Sequence, residues 1–253
     1  MKRLNFIIYL FLLTTVLHVS CEKQADTSNA SPSAGSGAGG SLARFAIVGN
    51  YLYIVGYGTL TSFDITDPTK PVKKNTVNAG IAIETIFPYK DKLFLGSAVG
   101  MYIFSLANPA LPVKEGEVTH IRACDPVVSN DTASYVTLRN FGTSCGASTS
   151  NVLNIYDIKN LKTPRLVRTE LMKSPYGLGI KQKGLYVCEG VNGLTVFELT
   201  GGYNVIKKKE IKDETYYDVI PYGDVLIAFI SKGICFYDIS NPLEPVLLSK
   251  LKG

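Results

Sequence analysis

Six polar residues stand just ahead of, or at the start of, successive apolar segments, and their types bound the chemistry open to this chain: Arg44, Glu84, Asp125, Tyr176, Tyr217 and Asp218. If they converge, three carboxylates, two tyrosines and an arginine make a polar funnel able to bind a cation, a sugar or a peptide. Convergence of Glu84, Asp125 and Asp218 would raise at least one carboxyl pKa through mutual repulsion. If they do not converge, they are solvated rim residues. Other catalytic groupings are thin. The chain has two histidines, His18 and His120, and only His120 lies beyond the apolar leader, so His-based metal sites and Ser-His-Asp triads have little to draw on. The glycines of SAGSGAGGS follow no strand-like segment, and no GxxxxGK[ST] loop is present. No cofactor and no metal are expected.

The remaining reactive side chains are cysteines. Cys124 precedes one apolar strand and Cys145 sits in a Ser/Gly-rich insertion of the same repeat unit, so the two are the candidate disulfide of an exported protein, worth about 2–4 kcal/mol if unstrained. Cys188 and Cys235 occupy strand positions in different units and read as buried free thiols. The formal charge of +5 falls to +3 once Lys2 and Arg3 are removed with a leader. No basic stripe is interleaved with aromatics, and the Lys207–Lys209 run reads as a solvated strand edge, so nucleic acid is not an expected partner.

The elements that must position these residues repeat. Five segments align as TLTSFDI, GMYIFSL, VLNIYDI, GLTVFEL and GICFYDI, with anchors Asp64, Ser105, Asp157, Glu198 and Asp238 spaced by 41, 52, 41 and 40 residues. Removing the ten residues FGTSCGASTS (141–150) from the long interval restores a period of 42. Columns two residues apart, Phe63/Phe104/Tyr156/Phe197/Tyr237 and Ile65/Leu106/Ile158/Leu199/Ile239, follow the two-residue period of a strand and are expected in the core. Two apolar strands precede each of these segments, joined through Gly, Asn or Asp, and a fourth follows a turn such as ITDPTKP, LANPALP or ISNPLEP. Four short antiparallel strands in each of five units predict an all-β, five-bladed β-propeller. Every unit holds its four strands in order, with no strand exchanged to clasp the ring, so the joint between blades one and five is expected to be the weakest. Hydrophobic residues make up 46% of the chain, with 15 Tyr and 11 Phe, enough for such a core.

The units resemble the LVIVD-repeat family of bacterial exported propeller lipoproteins, most closely in GLYVCEGVNGLTVFEL (184–199) and GICFYDISNPLEP (233–245). The resemblance spans about residues 42–252 and implies a propeller and export. Its motif consists of framework residues, so no catalytic site is carried over. Unit two departs from it with Ser105 in place of the acid, and unit four lacks the proline pair.

The N-terminus agrees with export. MKRLNFIIYLFLLTTVLHVSC has a basic start, an apolar stretch too short for a confident membrane span, and small residues before Cys21. LHVSC resembles a lipobox, which implies a signal peptide over 1–21 and diacylglycerol on Cys21; His18 departs from the usual Leu or Val. Residues 22–41, rich in Ser, Gly and Ala, read as a flexible tether, and 42–253 as the propeller. The expected address is the bacterial envelope, lipid-anchored most readily to the outer membrane and either periplasmic or surface-exposed.

Strand alternation places the links between second and third strands, and those between blades, on one face with the insertion. The anchor acids fall near the opposite face, where they are expected to satisfy turn donors. The insertion-bearing face is therefore the candidate for function. The leading expectation is a binding or scaffolding module for an envelope protein or glycan. The alternatives are a carboxylate-dependent hydrolase or lyase at the channel mouth and a purely structural envelope protein.

Overall fold

The computed structural model describes residues 40–119, 126–139 and 151–253, all within one compact unit, Ala34–Gly253. The described residues form twenty strands and no helix. Blade 1 is β1 (Phe45–Val48), β2 (Tyr51–Val55), β3 (Thr59–Asp64) and β4 (Val72–Asn78), and blade 2 is β5 (Ile83–Tyr89), β6 (Lys92–Ser97), β7 (Gly100–Ser105) and β8 (Val113–Thr119). Blade 3 is β9 (Val127–Ser129), β10 (Ala133–Leu138), β11 (Val152–Asp157) and β12 (Arg165–Leu171). Blade 4 is β13 (Leu178–Lys181), β14 (Gly184–Cys188), β15 (Leu194–Thr200) and β16 (Asn204–Ile211), and blade 5 is β17 (Tyr216–Tyr222), β18 (Val225–Ile230), β19 (Gly233–Asp238) and β20 (Val246–Lys252). Each blade is a four-stranded antiparallel sheet in sequence order. The first strands touch in succession, β1 to β5 to β9 to β13 to β17, so they line the centre. The chain is a five-bladed β-propeller.

Local chemistry explains the repeat. The hairpins joining first and second strands in blades 1, 2, 4 and 5 have two-residue loops. The first loop residue is left-handed, at φ 56° for Gly49 and 54° for Gly223, but also 52° for Lys90 and 50° for Gln182. Glycine removes the strain there; in blades 2 and 4 the flanking ladder imposes it on longer side chains. All five blades carry a register shift between third and fourth strands directly before the aromatic column, at Phe63, Phe104, Tyr156, Phe197 and Tyr237. Such a bulge tightens the twist in every blade.

The anchor acids close turns, as expected. Asp64 Oδ1 accepts the Thr66 N–H at 3.0 Å and its hydroxyl at 2.7 Å, Asp157 the Lys159 N–H at 3.0 Å, and Asp238 the Ser240 N–H at 2.8 Å. Ser105 Oγ accepts the Ala107 N–H at 3.3 Å, which shows how blade 2 manages without the acid. The Thr66 bonds hold the Asp64 carboxyl down at about 2. Three residues on, a second turn of the same kind follows at Asp67, Asn108, Asn160 and Asn241. Glu198 departs from the pattern and pairs with Lys183 and Lys208 at 3.1 and 3.0 Å. Lys207 and Lys209 pair with Glu210 and Glu244, so the lysine run is a paired strand edge.

Four apolar clusters fill the joints between blades 1 and 2, 2 and 3, 3 and 4, and 4 and 5. Tyrosines in the second strand add hydrogen bonds across two of them: Tyr53 donates to the Pro109 carbonyl at 2.9 Å and Tyr186 to the Pro242 carbonyl at 2.8 Å. Between blades 5 and 1 the described residues form no such cluster. The middle strands of blades 2, 3 and 4 are buried on both faces, whereas β2, β3, β18 and β19 alternate, burying one face only. Accordingly Phe104, Tyr156, Phe197 and Tyr237 are buried while Phe63, first in the column, is only half-buried.

Candidate functional site

The funnel residues arise where blades begin, and bulges aim two of them. Glu84 is the extra residue of a register shift between Ile83 and Thr85 in β5, and Tyr217 that of a shift between Tyr216 and Asp218 in β17. An extra residue leaves the ladder and turns its side chain from the expected face. Arg44, Glu84 and Tyr176 meet in one cavity of about 330 Å³ at the mouth, with Leu42, Thr85 and Arg139. Arg44 Nη2 donates to the Ile83 carbonyl at 3.3 Å. The Tyr176 backbone is fixed on both sides, its N–H donating to the Cys188 carbonyl at 2.7 Å and its carbonyl accepting from Thr137 Oγ1 at 2.8 Å. The Arg139 guanidinium carbon lies 3.7 Å from the Tyr176 ring centre, a cation–π stack. The edge of Tyr217 meets Tyr176 with ring centres 5.3 Å apart, and Phe229 continues the row at 6.1 Å.

Asp218 does not join this group. Its Oδ1 accepts the Val219 N–H at 2.9 Å and the Ser41 hydroxyl at 3.2 Å, and Ser41 Oγ in turn accepts the Leu178 N–H at 2.7 Å. The carboxyl is wedged between two glycines: a Cβ on Gly40 would stand 2.2 Å from Oδ2 and one on Gly177 2.1 Å from Oδ1. Burial pushes its pKa up to about 6, against the pull of these donors. Desolvation is the largest cause of this rise, and Asp125, the third acid of the expected group, lies outside the described residues. Asp218 serves to latch the segment entering β1. Ser41, which composition assigns to the tether, is fully buried in that latch.

Asp125, His120, Cys124, Cys145 and Cys21 lie outside the described residues. Cys188 and Cys235 are free and buried, and burial raises both thiols. Among the described residues no three His, Cys, Asp or Glu side chains group as metal ligands. Arg139 escaped the sequence reading because that reading took residues before first strands, whereas Arg139 follows a second strand. Its position at the edge of the ten-residue insertion was the available signal. Arg44, Arg139 and Glu84 are the charged residues of the described lining, which is therefore net cationic. A second cavity of about 500 Å³ lies beside blade 5, lined by Lys212, Lys232, Lys250 and Lys252 with Asp213 and Glu214. Two of its lysines are already paired, Lys212 with Glu210 at 2.7 Å and Lys250 with Glu214.

Among curated proteins none matches this chain in sequence. Solved structures resemble it in fold. The computationally designed Ika8 protein aligns over 83% of this chain and 61% of its own, with TM-score 0.59 and 12% identity. The periplasmic gluconolactonase PpgL of Pseudomonas aeruginosa aligns over 81% and 68%, with TM-score 0.62 and 11% identity. A hypothetical selenium-binding protein of Sulfolobus tokodaii aligns over 81% and 59%, with TM-score 0.56 and 14% identity. The chain therefore spans about three fifths to two thirds of the length of these structures. Residues 39–79, which include blade 1, match the sequence model of the LVIVD repeat. Over residues 39–79 the chain carries an LVIVD repeat, and its described residues as a whole form a five-bladed β-propeller.

Proposed function

We propose that this propeller is a binding module of the bacterial envelope, tethered through Cys21, that engages a carboxylate-bearing protein or glycan at the channel mouth. The observation that carries the reading is the cavity whose described lining holds Arg44, the Tyr176-stacked Arg139 and a single carboxylate, Glu84. Arginine presents a planar fork to a carboxylate, and a tyrosine edge beside it offers an apolar wall to a sugar ring or peptide side chain. The site is held by backbone hydrogen bonds on a rigid scaffold, so little ordering accompanies binding. A hydrolase or lyase working through paired carboxylates is supported less well, since Asp218 is committed to Ser41. The gluconolactonase neighbour shares only the fold.

The test is titration of the protein with acidic and neutral oligosaccharides and with acidic peptides, followed calorimetrically. Binding of an acidic member, weakened about tenfold or more by Arg44→Ala or Tyr176→Ala, supports the reading. Equal binding of neutral ligands, or affinity untouched by both substitutions, would sink it. Turnover of a lactone or glycoside that is lost in Glu84→Gln would favour the enzyme reading instead.

A further inference from the structure

Three blades carry a tyrosine at the same place in the second strand, opposite the residue before the aromatic column: Tyr53 pairs with Ser62, Tyr135 with Ile155 and Tyr186 with Val196. Tyr53 and Tyr186 each donate to a proline carbonyl, Pro109 and Pro242, in the wide turn between third and fourth strands of the following blade. Blade 4, which follows Tyr135, has no such turn. Its third and fourth strands stay paired further, through Leu199↔Val205 and Thr200↔Asn204, and close over Gly201, Gly202 and Tyr203 alone. Gly202 and Tyr203 take left-handed conformations, φ 73° and 64°, to make that tight turn. The LTGGYN segment thus withholds the carbonyl that its counterparts present to the preceding blade.

Tyr135 is only 4% exposed, and the one hydrogen bond of its hydroxyl among the described residues is accepted from Asn130 Nδ2 at 3.5 Å. Its proton has no acceptor there. Beside it a cavity of about 410 Å³ opens at the joint of blades 3 and 4, lined among others by Asn130, Lys159, Gln182, Lys183 and Tyr203. Hairpins between first and second strands and turns between third and fourth supply this lining, which puts the cavity on the face opposite the mouth. Tyr203 Oη is buried and makes no hydrogen bond of ordinary geometry; with the Lys159 N–H, which acts more strongly, it draws the Asp157 carboxyl below the usual range.

We propose that this cavity is a saccharide site whose ligand is an N-acetylated amino sugar, its amide carbonyl standing where the proline carbonyl is missing. The proposal does not rest on the reading of the mouth. In the sister joints the tyrosine meets a neutral amide oxygen, and an acetamido group carries the same acceptor. A donor buried without its partner carries a desolvation penalty that a ligand acceptor removes on binding. The rest of the lining suits a hydroxyl-rich molecule: the Asn130 and Gln182 amides and the Thr132 and Thr200 hydroxyls both donate and accept, and two tyrosine rings offer apolar faces. The lysines do not make it an anion trap, since Lys183 pairs with Glu198 at 3.1 Å and Lys159 Nζ lies 5.5 Å from the Tyr203 ring centre. Leu199 is the one aliphatic side chain of the described lining, so a peptide finds little apolar anchorage. The volume falls in the range of small-molecule pockets, about 300–1,000 Å³.

Titration of the full-length protein with N-acetylglucosamine and diacetylchitobiose, and with glucose and cellobiose as counterparts lacking the acetamido group, tests this by saturation-transfer NMR and calorimetry. The acetamido sugars should bind with their methyl protons most strongly saturated, and Tyr135→Phe should weaken them about fivefold or more. Stability gives a second reading that needs no ligand. Tyr135→Phe removes a hydroxyl whose proton has no acceptor, so its urea midpoint should stay at the wild-type value, unlike those of Tyr53→Phe and Tyr186→Phe. A midpoint lowered as much as theirs would mean that water already completes the site, and would overturn the proposal. So would equal binding of glucose and cellobiose, no binding of the acetamido sugars at millimolar concentration, or preference for an acetylated alanyl-proline amide. Binding lost in Arg44→Ala and kept in Tyr135→Phe would assign the sugar to the mouth and overturn it as well.

Discussion

Asp218 couples the entering segment to the blades through a carboxyl whose folded pKa is pushed up to about 6 by burial, above its ordinary value near 4. Between those two values the folded protein holds a proton that the unfolded chain has released. The contribution to stability is therefore fully present below pH about 4 and falls as pH rises through 6, the reverse of a salt-bridged aspartate. Asp218→Asn removes the titration while keeping an acceptor for Ser41. The stability of the wild type relative to this variant should fall by about 2 kcal/mol between pH 4 and pH 7. Urea denaturation of both proteins across that range measures it, and parallel curves would mean the carboxyl titrates normally. Two glycines make room for the side chain, so Gly177→Ala should also loosen the latch and speed proteolysis near residue 40. Asp218 was legible in the sequence as a polar residue at a blade start. Its partner was not, because Ser41 is one of several serines in a low-complexity run and only the path of the chain across the mouth singles it out.

At the scale of the element, two tyrosines join neighbouring blades by donating to the proline carbonyls of the next blade's turn, Tyr53 to Pro109 and Tyr186 to Pro242. Removing either hydroxyl leaves a carbonyl without this donor at little cost in packing. Tyr53→Phe and Tyr186→Phe should each destabilise the domain by about 1 kcal/mol, read as a lower urea midpoint at unchanged slope. No change in either midpoint would show that water replaces the hydroxyl. The strands and turns were legible because aromatic columns, turn prolines and Asx residues recur with the repeat. The bulge before each aromatic column was not, since nothing in its composition differs from a regular strand. The same blindness hid the aim of Glu84 and Tyr217, which depends on bulges of their own. A reading that counts period-two positions places such residues one face away from where the backbone puts them.

For the whole molecule, the proposed export and anchoring rest on the leader, and on that proposal Cys21→Ser should move the protein from the membrane to the soluble fraction of lysed cells. Retention at the membrane would mean another segment or partner holds it there. The sequence led to the expectation of a weak seam from the absence of an exchanged strand, but not to the missing apolar cluster there, because blades 1 and 5 carry nearly the same apolar columns as blades 2 to 4. Only burial distinguishes them: Phe104, Tyr156 and Phe197 are buried, whereas Phe63 of blade 1 is half-buried and Phe229 and Leu251 of blade 5 are exposed. In a repeat architecture each unit is stabilised by its own contacts plus those with its neighbours. Among the described residues blades 2, 3 and 4 each pack apolar clusters against two neighbours, and blades 1 and 5 against one. Local opening should therefore be easiest at the two ends. Hydrogen exchange should show the amides of β2, β3, β18 and β19 exchanging at least about tenfold faster than those of β10, β11, β14 and β15, a gap of about 1.4 kcal/mol in opening free energy. Uniform protection across all five blades would require the blade 5 to blade 1 joint to close within one chain, and would remove the structural basis for unequal ends.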